Sequence, residues 1–343
     1  MARANGTWIA AGLAALAALG PFPASAQGPG PGRTRFTPRP AAVSGIATPV
    51  LSLNGAWAFH PAPPKGFERL REMTAKGFRP IEVPGDWTMQ GFSVEPWTAA
   101  RYLTTVDIPA DWKGARVILR SDGAQSLASF WVNGRPAGTH EGGFTAFEFD
   151  VTDLCRPGET NTVAASVQNE STADILASGT QYASYQFGGL TRKITLMAVP
   201  SLHISDIDVA TDVSDDGRRA AFTASVEVRE GTAGPAAGDG GGRAWITLDL
   251  CGPDGRSVYR KTRPVDGPGP SGGTVIPFAG GLEAPALWEA EHPRLHTLTV
   301  EVVRGGSRET VVRRVGLREI EVAGTRLFVN GRPVKLRGIN RHE

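Results

Sequence analysis

The stretch WVNGRPAGTHEGGFTAFEFDVT, residues 131–152, carries two signals that decide the fold class. Asn133-Gly134 follows a strand-like run, and Asn-Gly tolerates the positive φ angles of a two-residue hairpin turn. Phe147, Phe149 and Val151 then alternate with Glu148, Asp150 and Thr152. A period of two buries one face of a strand and leaves the other in water. The pattern predicts adjacent antiparallel strands between Trp131 and Val151, with Phe147, Phe149 and Val151 turned inward.

The same period recurs along the rest of the chain. Val163, Ala165 and Val167 alternate with other residues, and Ile207, Val209 and Val213 alternate with Asp206, Asp208 and Asp212. Phe222, Val226 and Val228, then Ile246, Leu248 and Leu250, then Leu298, Val300 and Val302 continue it. Asn330-Gly331 repeats the hairpin signal, Gly252-Pro253-Asp254-Gly255 supplies another turn, and the 26 prolines and 43 glycines fall mainly between the strand-like runs. That is where turn and edge chemistry places them. Many short strands with regular turns make an all-β chain of sandwiches. A break at Val199-Pro200-Ser201 separates two sets of strands. The Gly-rich stretches Gly231 to Gly242 and Gly267 to Gly273 read as hairpin loops, because no Lys-Ser/Thr follows as a phosphate loop requires.

At 343 residues and 41% hydrophobic content, the chain can bury more than one core. Its 36 Lys and Arg balance 34 Asp and Glu, with no long basic run, so it lacks the electrostatic footprint of a nucleic-acid or anionic-membrane binder. Cys155 and Cys251 fall in different expected domains and read as free thiols; their spacing excludes a Cys-based zinc site. No metal or cofactor is expected.

Arg3, the apolar run from Trp8 to Leu19, and Ala24-Ser25-Ala26 before Gln27 make residues 1–26 a secretory signal peptide, which predicts a periplasmic or secreted protein. The run falls short of the ~20 residues a membrane-spanning helix needs, so no span is expected. Residues 27–44, opening with Gly28-Pro29-Gly30-Pro31-Gly32, read as a flexible linker.

Several further segments stand in a telling order. Leu53-Asn54-Gly55-Ala56-Trp57-Ala58-Phe59 comes first, then Val83-Pro84-Gly85-Asp86-Trp87 with Gly91-Phe92, then the 131–152 stretch. Gly188-Gly189-Leu190-Thr191-Arg192 follows, then Leu287-Trp288 with Pro293, then Val315-Gly316-Leu317-Arg318 leading to Leu327-Phe328-Val329-Asn330-Gly331. From about residue 51 to the last, this order resembles glycoside hydrolase family 2, the family of β-galactosidases and β-glucuronidases. The resemblance implies a jelly-roll sugar-binding domain over 45–200 and an immunoglobulin-like β-sandwich over 201–322. It also implies the start of a catalytic (β/α)8 TIM barrel over 323–343, the remainder of the barrel being a partner in cis.

Leu336 to Glu343 resembles the first barrel strand and its loop, and barrel active sites gather at the C-terminal ends of the strands. The resemblance therefore places Asn340 and His342 beside the substrate. Trp97 and Tyr185, with Tyr182, lie in loops whose family counterparts approach the barrel mouth, and their rings suit stacking on a pyranose. The two catalytic glutamates of the family belong to later barrel strands, so no residue here is assigned a catalytic role. Galactosidases of the family place an Asn and an Asp where Trp97-Thr98-Ala99 and the 182–185 segment have Ala. Asn340-Arg341-His342-Glu343 nonetheless resembles galactosidases more than glucuronidases or mannosidases. The expectation is the front portion of an exported, exo-acting, retaining β-glycosidase acting on a β-linked sugar and most like a β-galactosidase. A stand-alone carbohydrate-binding or barrel-docking protein is the competing reading.

Overall fold

A computed structural model of the chain describes residues 33–62, 77–95, 97–169, 171, 188–214, 216–231, 242–266 and 273–340. They build two antiparallel β-sandwiches and a small third sheet. In the first sandwich a six-stranded sheet runs in the order Arg79–Val83, Gly55–His60, Ala99–Asp107, Thr160–Gln168, Leu127–Val132, Arg135–Glu141. It faces a four-stranded sheet ordered Phe147–Asp150, Arg116–Ser121, Ile194–Val199, Val50–Ser52. Alternation drives the packing. Ala128, Phe130 and Val132 point into a core with Trp57, Phe59, Trp87, Tyr102, Leu119 and Val163.

The period fails where both faces are covered. Ile194–Val199 is buried at every position, because Ile194, Leu196 and Ala198 enter the main core while Met197 and Val199 join Ile118 in a second cluster.

The Asn133-Gly134 turn forms as the sequence requires, with φ of 50° and 74°, and it joins Leu127–Val132 to Arg135–Glu141. The next strand departs from expectation. Phe147–Asp150 does not extend this hairpin; it pairs with Arg116–Ser121 in the opposite sheet, Phe149 opposite Leu119. The reason is the 142–146 segment, where Gly142 at φ 128° and a tightly packed Gly143 carry the chain across the core. Phe147, Phe149 and Val151 still face inward, with Phe147 stacked on His140 at 4.2 Å between ring centroids.

The second sandwich pairs the sheet Arg33–Phe36, Leu202–Val213, Arg219–Glu230, Gly273–Glu283 with the sheet Ser257–Val265, Ala244–Cys251, His296–Arg304, Ser307–Val315, Pro40–Val43. Ile207, Phe222, Val226, Leu248, Phe278 and Val300 form its core. The two cores divide between Ala198 and Leu202.

Two of its strands correct the linker read over 27–44. Arg33–Phe36 pairs with residues 207–210, and Pro40–Val43 is the edge strand against Ser307–Val315. Four-residue strands are too short to display a period, and an edge strand tolerates Pro40 because its outer N–H positions need no partner.

The last described residues, where the barrel start is expected over 323–343, form a small sheet of their own. Ile320–Ala323, Arg326–Val329 and Arg332–Val334 form an antiparallel three-stranded sheet, turned at Asn330-Gly331. Residues 335–340 carry no strand. A parallel barrel strand takes its hydrogen bonds from barrel neighbours, and the described residues include none. Cys155 and Cys251 are both free. Among the described residues, no helix is long and apolar enough to cross a membrane.

Candidate functional site

One end of the first sandwich collects its loops. Register fixes part of this: Ser121 lies opposite both Phe147 and Ile194, and Gln168 lies opposite both Ala99 and Leu127. The segments 122–126, 142–146 and 188–193 therefore emerge with residues 97–98, and hydrogen bonds bring the 85–90 turn to 188–190. Motifs about a hundred residues apart in sequence lock there. The Gly85 N–H donates to the Leu190 carbonyl at 2.9 Å and the Trp87 N–H to the Gly188 carbonyl at 3.1 Å. Asp86 accepts the Thr88 and Met89 N–H groups through Oδ1, at 2.8 and 3.0 Å, and the Gly188 N–H through Oδ2 at 2.8 Å. Gln90 closes the turn, accepting the Glu82 N–H at 2.8 Å and donating to the Glu82 carbonyl at 3.0 Å.

Two glycines permit the fit. A Cβ on Gly188 would fall 2.1 Å from the Trp87 ring, and one on Gly143 would fall 1.6 Å from the Gln125 side chain. Gln125 also exchanges backbone hydrogen bonds with Gly189, at 2.9 and 3.2 Å, and the Gly142 N–H donates to Ser126 at 2.9 Å. The Tyr102 hydroxyl sits under Gly189, where a Cβ would approach it to 2.6 Å. Burial raises its pKa far above the ordinary phenol value.

These braced turns present large apolar side chains to solvent. Met89 is 80% exposed, Phe144 79% and Trp97 55%, and Trp97 holds a positive φ of 62°. Of the candidates named from sequence, Trp97 thus belongs to the loop end of the first sandwich. Asn340 is exposed and follows the three-stranded sheet. Tyr185, Tyr182 and His342 lie outside the described residues. Met89 escaped the sequence reading, and Phe144 entered it only as part of a motif. The available signal was an aromatic placed straight after Gly142-Gly143, a pair that fixes backbone and supplies no packing.

Several of the described acids serve structure. Arg120 Nε and Nη1 donate to Asp122 and Glu148, each at 2.8 Å, and Arg39 donates to Asp122 as well. Burial opposes ionisation of Asp122, but the Arg39 and Arg120 guanidiniums overcome it and hold the carboxyl below its usual range. Asp150 accepts the Thr152 N–H at 3.1 Å, bracing the turn, and pairs with Arg116 at 2.6 Å. Arg116 also meets His203 at 3.2 Å. Burial first, and the Arg116 charge second, push His203 down to about 4. Burial, aided by the Asp150 charge, pushes the Cys155 thiol up to about 12, far from a reactive thiolate. The loop end is hydrogen-bonded from turn to turn and partly aromatic, with its Asp86 accepting from backbone donors.

Comparison with known proteins finds the same family, with its two domains in the same order. Residues 95–200 match the family model described as "Glycosyl hydrolases family 2, sugar binding domain", and residues 202–318 match the one described as "Glycosyl hydrolases family 2". Among solved structures, β-glucuronidase 2 of Bacteroides uniformis matches with a TM-score of 0.71 at 23% identity, over 85% of this chain and 35% of that one. The β-glucuronidase of Ruminococcus gnavus matches with a TM-score of 0.67 at 20% identity, over 84% and 48%. A glycosyl hydrolase family 2 member from Bacteroides cellulosilyticus gives 0.67 at 22%, over 83% and 39%. Identities this low establish a shared fold. The chain spans between 35% and 48% of the length of these three relatives.

Proposed function

Because the chain belongs to glycosyl hydrolase family 2, we propose that it is the non-catalytic front portion of an exported, exo-acting β-glycosidase. The observation that carries this reading is the loop end of the sugar-binding domain. There, family motifs brace one another and hold Trp97, Met89 and Phe144 outward. In this reading a barrel in cis supplies the chemistry. Retaining hydrolysis takes two carboxyl groups about 5–5.5 Å apart, one a nucleophile and one a general acid, and a barrel takes about 250 residues. Asn340 and His342 would then line the sugar subsite, and the signal peptide over 1–26 would deliver the enzyme to the periplasm or beyond. The Asn340-Arg341-His342-Glu343 tetrad favours a galactoside. The likeness to β-glucuronidases is one of fold and does not choose the sugar.

Reading the DNA downstream of residue 343 tests the proposal. An in-frame barrel with two glutamates supports it, whereas an immediate stop sinks it and leaves a carbohydrate-binding protein. The 343-residue chain alone is expected to show no hydrolysis of aryl β-galactosides or aryl β-glucuronides. Turnover that survives repurification and is lost on Glu343→Gln would overturn that expectation.

Sugar contact by Trp97 has its own signature. Aromatic stacking is worth ~0.5–1.5 kcal/mol, so Trp97→Ala in the full-length enzyme is expected to lower kcat/KM roughly two- to tenfold with little change in Tm, the ring being mostly solvated already. Tyr185→Ala should behave alike. A large fall in Tm with unchanged kinetics would make these rings interface packing instead.

A further inference from the structure

Glu309 is the carboxylate that the fold treats most strangely. It lies on Ser307–Val315, opposite Val302 on one side and Val43 on the other, and it is 1% exposed. Its Oε2 accepts the Ile204 N–H at 2.7 Å, reaching from one sheet of the second sandwich to the other. Its Oε1 is buried without a hydrogen-bond partner among the described residues.

The residues it touches are those where the chain passes between sandwiches. The path from Val43 to Val50 leads into the first sandwich, and the path from Val199 to Leu202 leads back. Ser44 donates to Arg308, beside Glu309, at 2.9 Å, and the two paths are joined by the Ala198 N–H on the Pro49 carbonyl at 2.8 Å. The Glu309 carboxylate thus holds one path through the Ile204 N–H, while its own backbone position is paired with Val43 on the other.

Several charged groups on the strands around it are engaged elsewhere. Arg308 pairs with Glu301 at 3.2 Å, and Arg304 pairs with Glu230 at 2.7 Å and donates to Ser201 at 2.9 Å. His203 meets Arg116, Arg39 meets Asp122, Arg35 meets Asp206, and Arg313 donates to the Thr37 carbonyl. With no cation among the described residues set against it, burial dominates the one stabilising N–H and pushes the carboxyl up to about 8. An acid raised in the folded state stabilises fully below its unfolded value, and that stability is lost as pH rises through the folded one.

We infer that Glu309 is a proton-sensitive latch on the two chain crossings between the sandwiches. Neutral, it closes the seam. Ionised, it draws water in and loosens the Pro40–Val43 edge strand and the start of Leu202–Val213 together. Because the edge strand is held on one side only, it is the element free to yield.

Native-state hydrogen exchange, corrected for intrinsic rates, tests this in the full chain. Opening reported by the Ile204 and Ser44 amides should increase roughly tenfold between pH 7 and pH 9, following the titration of one group. The amides of Thr160–Gln168, in the first sandwich, should not follow. Glu309→Gln keeps size and acceptor but cannot ionise, and it should abolish the pH dependence. The latch is overturned if the variant shows the same alkaline loosening. Should the variant not fold, the wild-type comparison decides alone, and Ile204 and Ser44 moving in step with 160–168 overturns the latch.

Discussion

Replacing Trp87 by alanine is expected to cost about 3–5 kcal/mol, the range for emptying a buried large-aromatic site. The ring is 1% exposed and sits 6.2 Å from Phe59 by centroid. It is also the floor on which Gly188 lies. The loss should therefore loosen the 188–193 segment as well as open a cavity, and limited proteolysis should cut there first. A double-mutant cycle separates the two effects. Gly188→Ala alone forces a methyl to within 2.1 Å of the ring, an overpacking expected to cost at least ~1–3 kcal/mol. In the Trp87→Ala background the methyl has room, so the two losses should not add. Additive losses in urea unfolding would show that the ring and Gly188 do not meet.

Phe149→Ala is expected to cost about 3 kcal/mol, the low end for an aromatic site because the ring is only partly buried. Its space is defined on both sides. Phe149 lies 6.2 Å from Phe130 and 5.4 Å from Phe147 by centroid, and a Cβ on Gly138 would fall 2.3 Å from its ring. The substitution removes a bridge between the two sheets, since Phe149 belongs to one and Gly138 to the other. A loss under about 1 kcal/mol in chemical denaturation would mean that the ring faces solvent, the range for surface changes being ±0.5 kcal/mol.

The candidate site was partly legible in advance. The order of the motifs pointed to the family, while Gly188-Gly189 and Gly142-Gly143 stood in those motifs without any sign of what would pack against them. That Asp86 would spend its carboxylate on the Gly188 N–H, a hundred residues away, has no local signature. Nor could the sequence separate Trp57, Trp87 and Trp112, which are buried, from Trp97, which is exposed. Residue type is the same at all four, and burial depends on what the rest of the chain lays over them.

Local sequence encoded most of the longer strands, the Asn-Gly turns and the division into two sandwiches. These depend on residues within a few positions of one another: a period of two selects which face is apolar, and Asn133-Gly134 and Asn330-Gly331 adopt positive φ because their own side chains allow it. Only the tertiary structure decided which strands pair. It sent Phe147–Asp150 to the opposite sheet, joined Arg33–Phe36 and Pro40–Val43 to a sandwich that resumes at Leu202, and buried Glu309 where alternation gives no warning of a sealed carboxylate. The physical reason is that backbone donors and acceptors are the same at every residue. A strand's period fixes its face but not its partner, and the partner is chosen by the shape of a core whose walls come from distant parts of the chain.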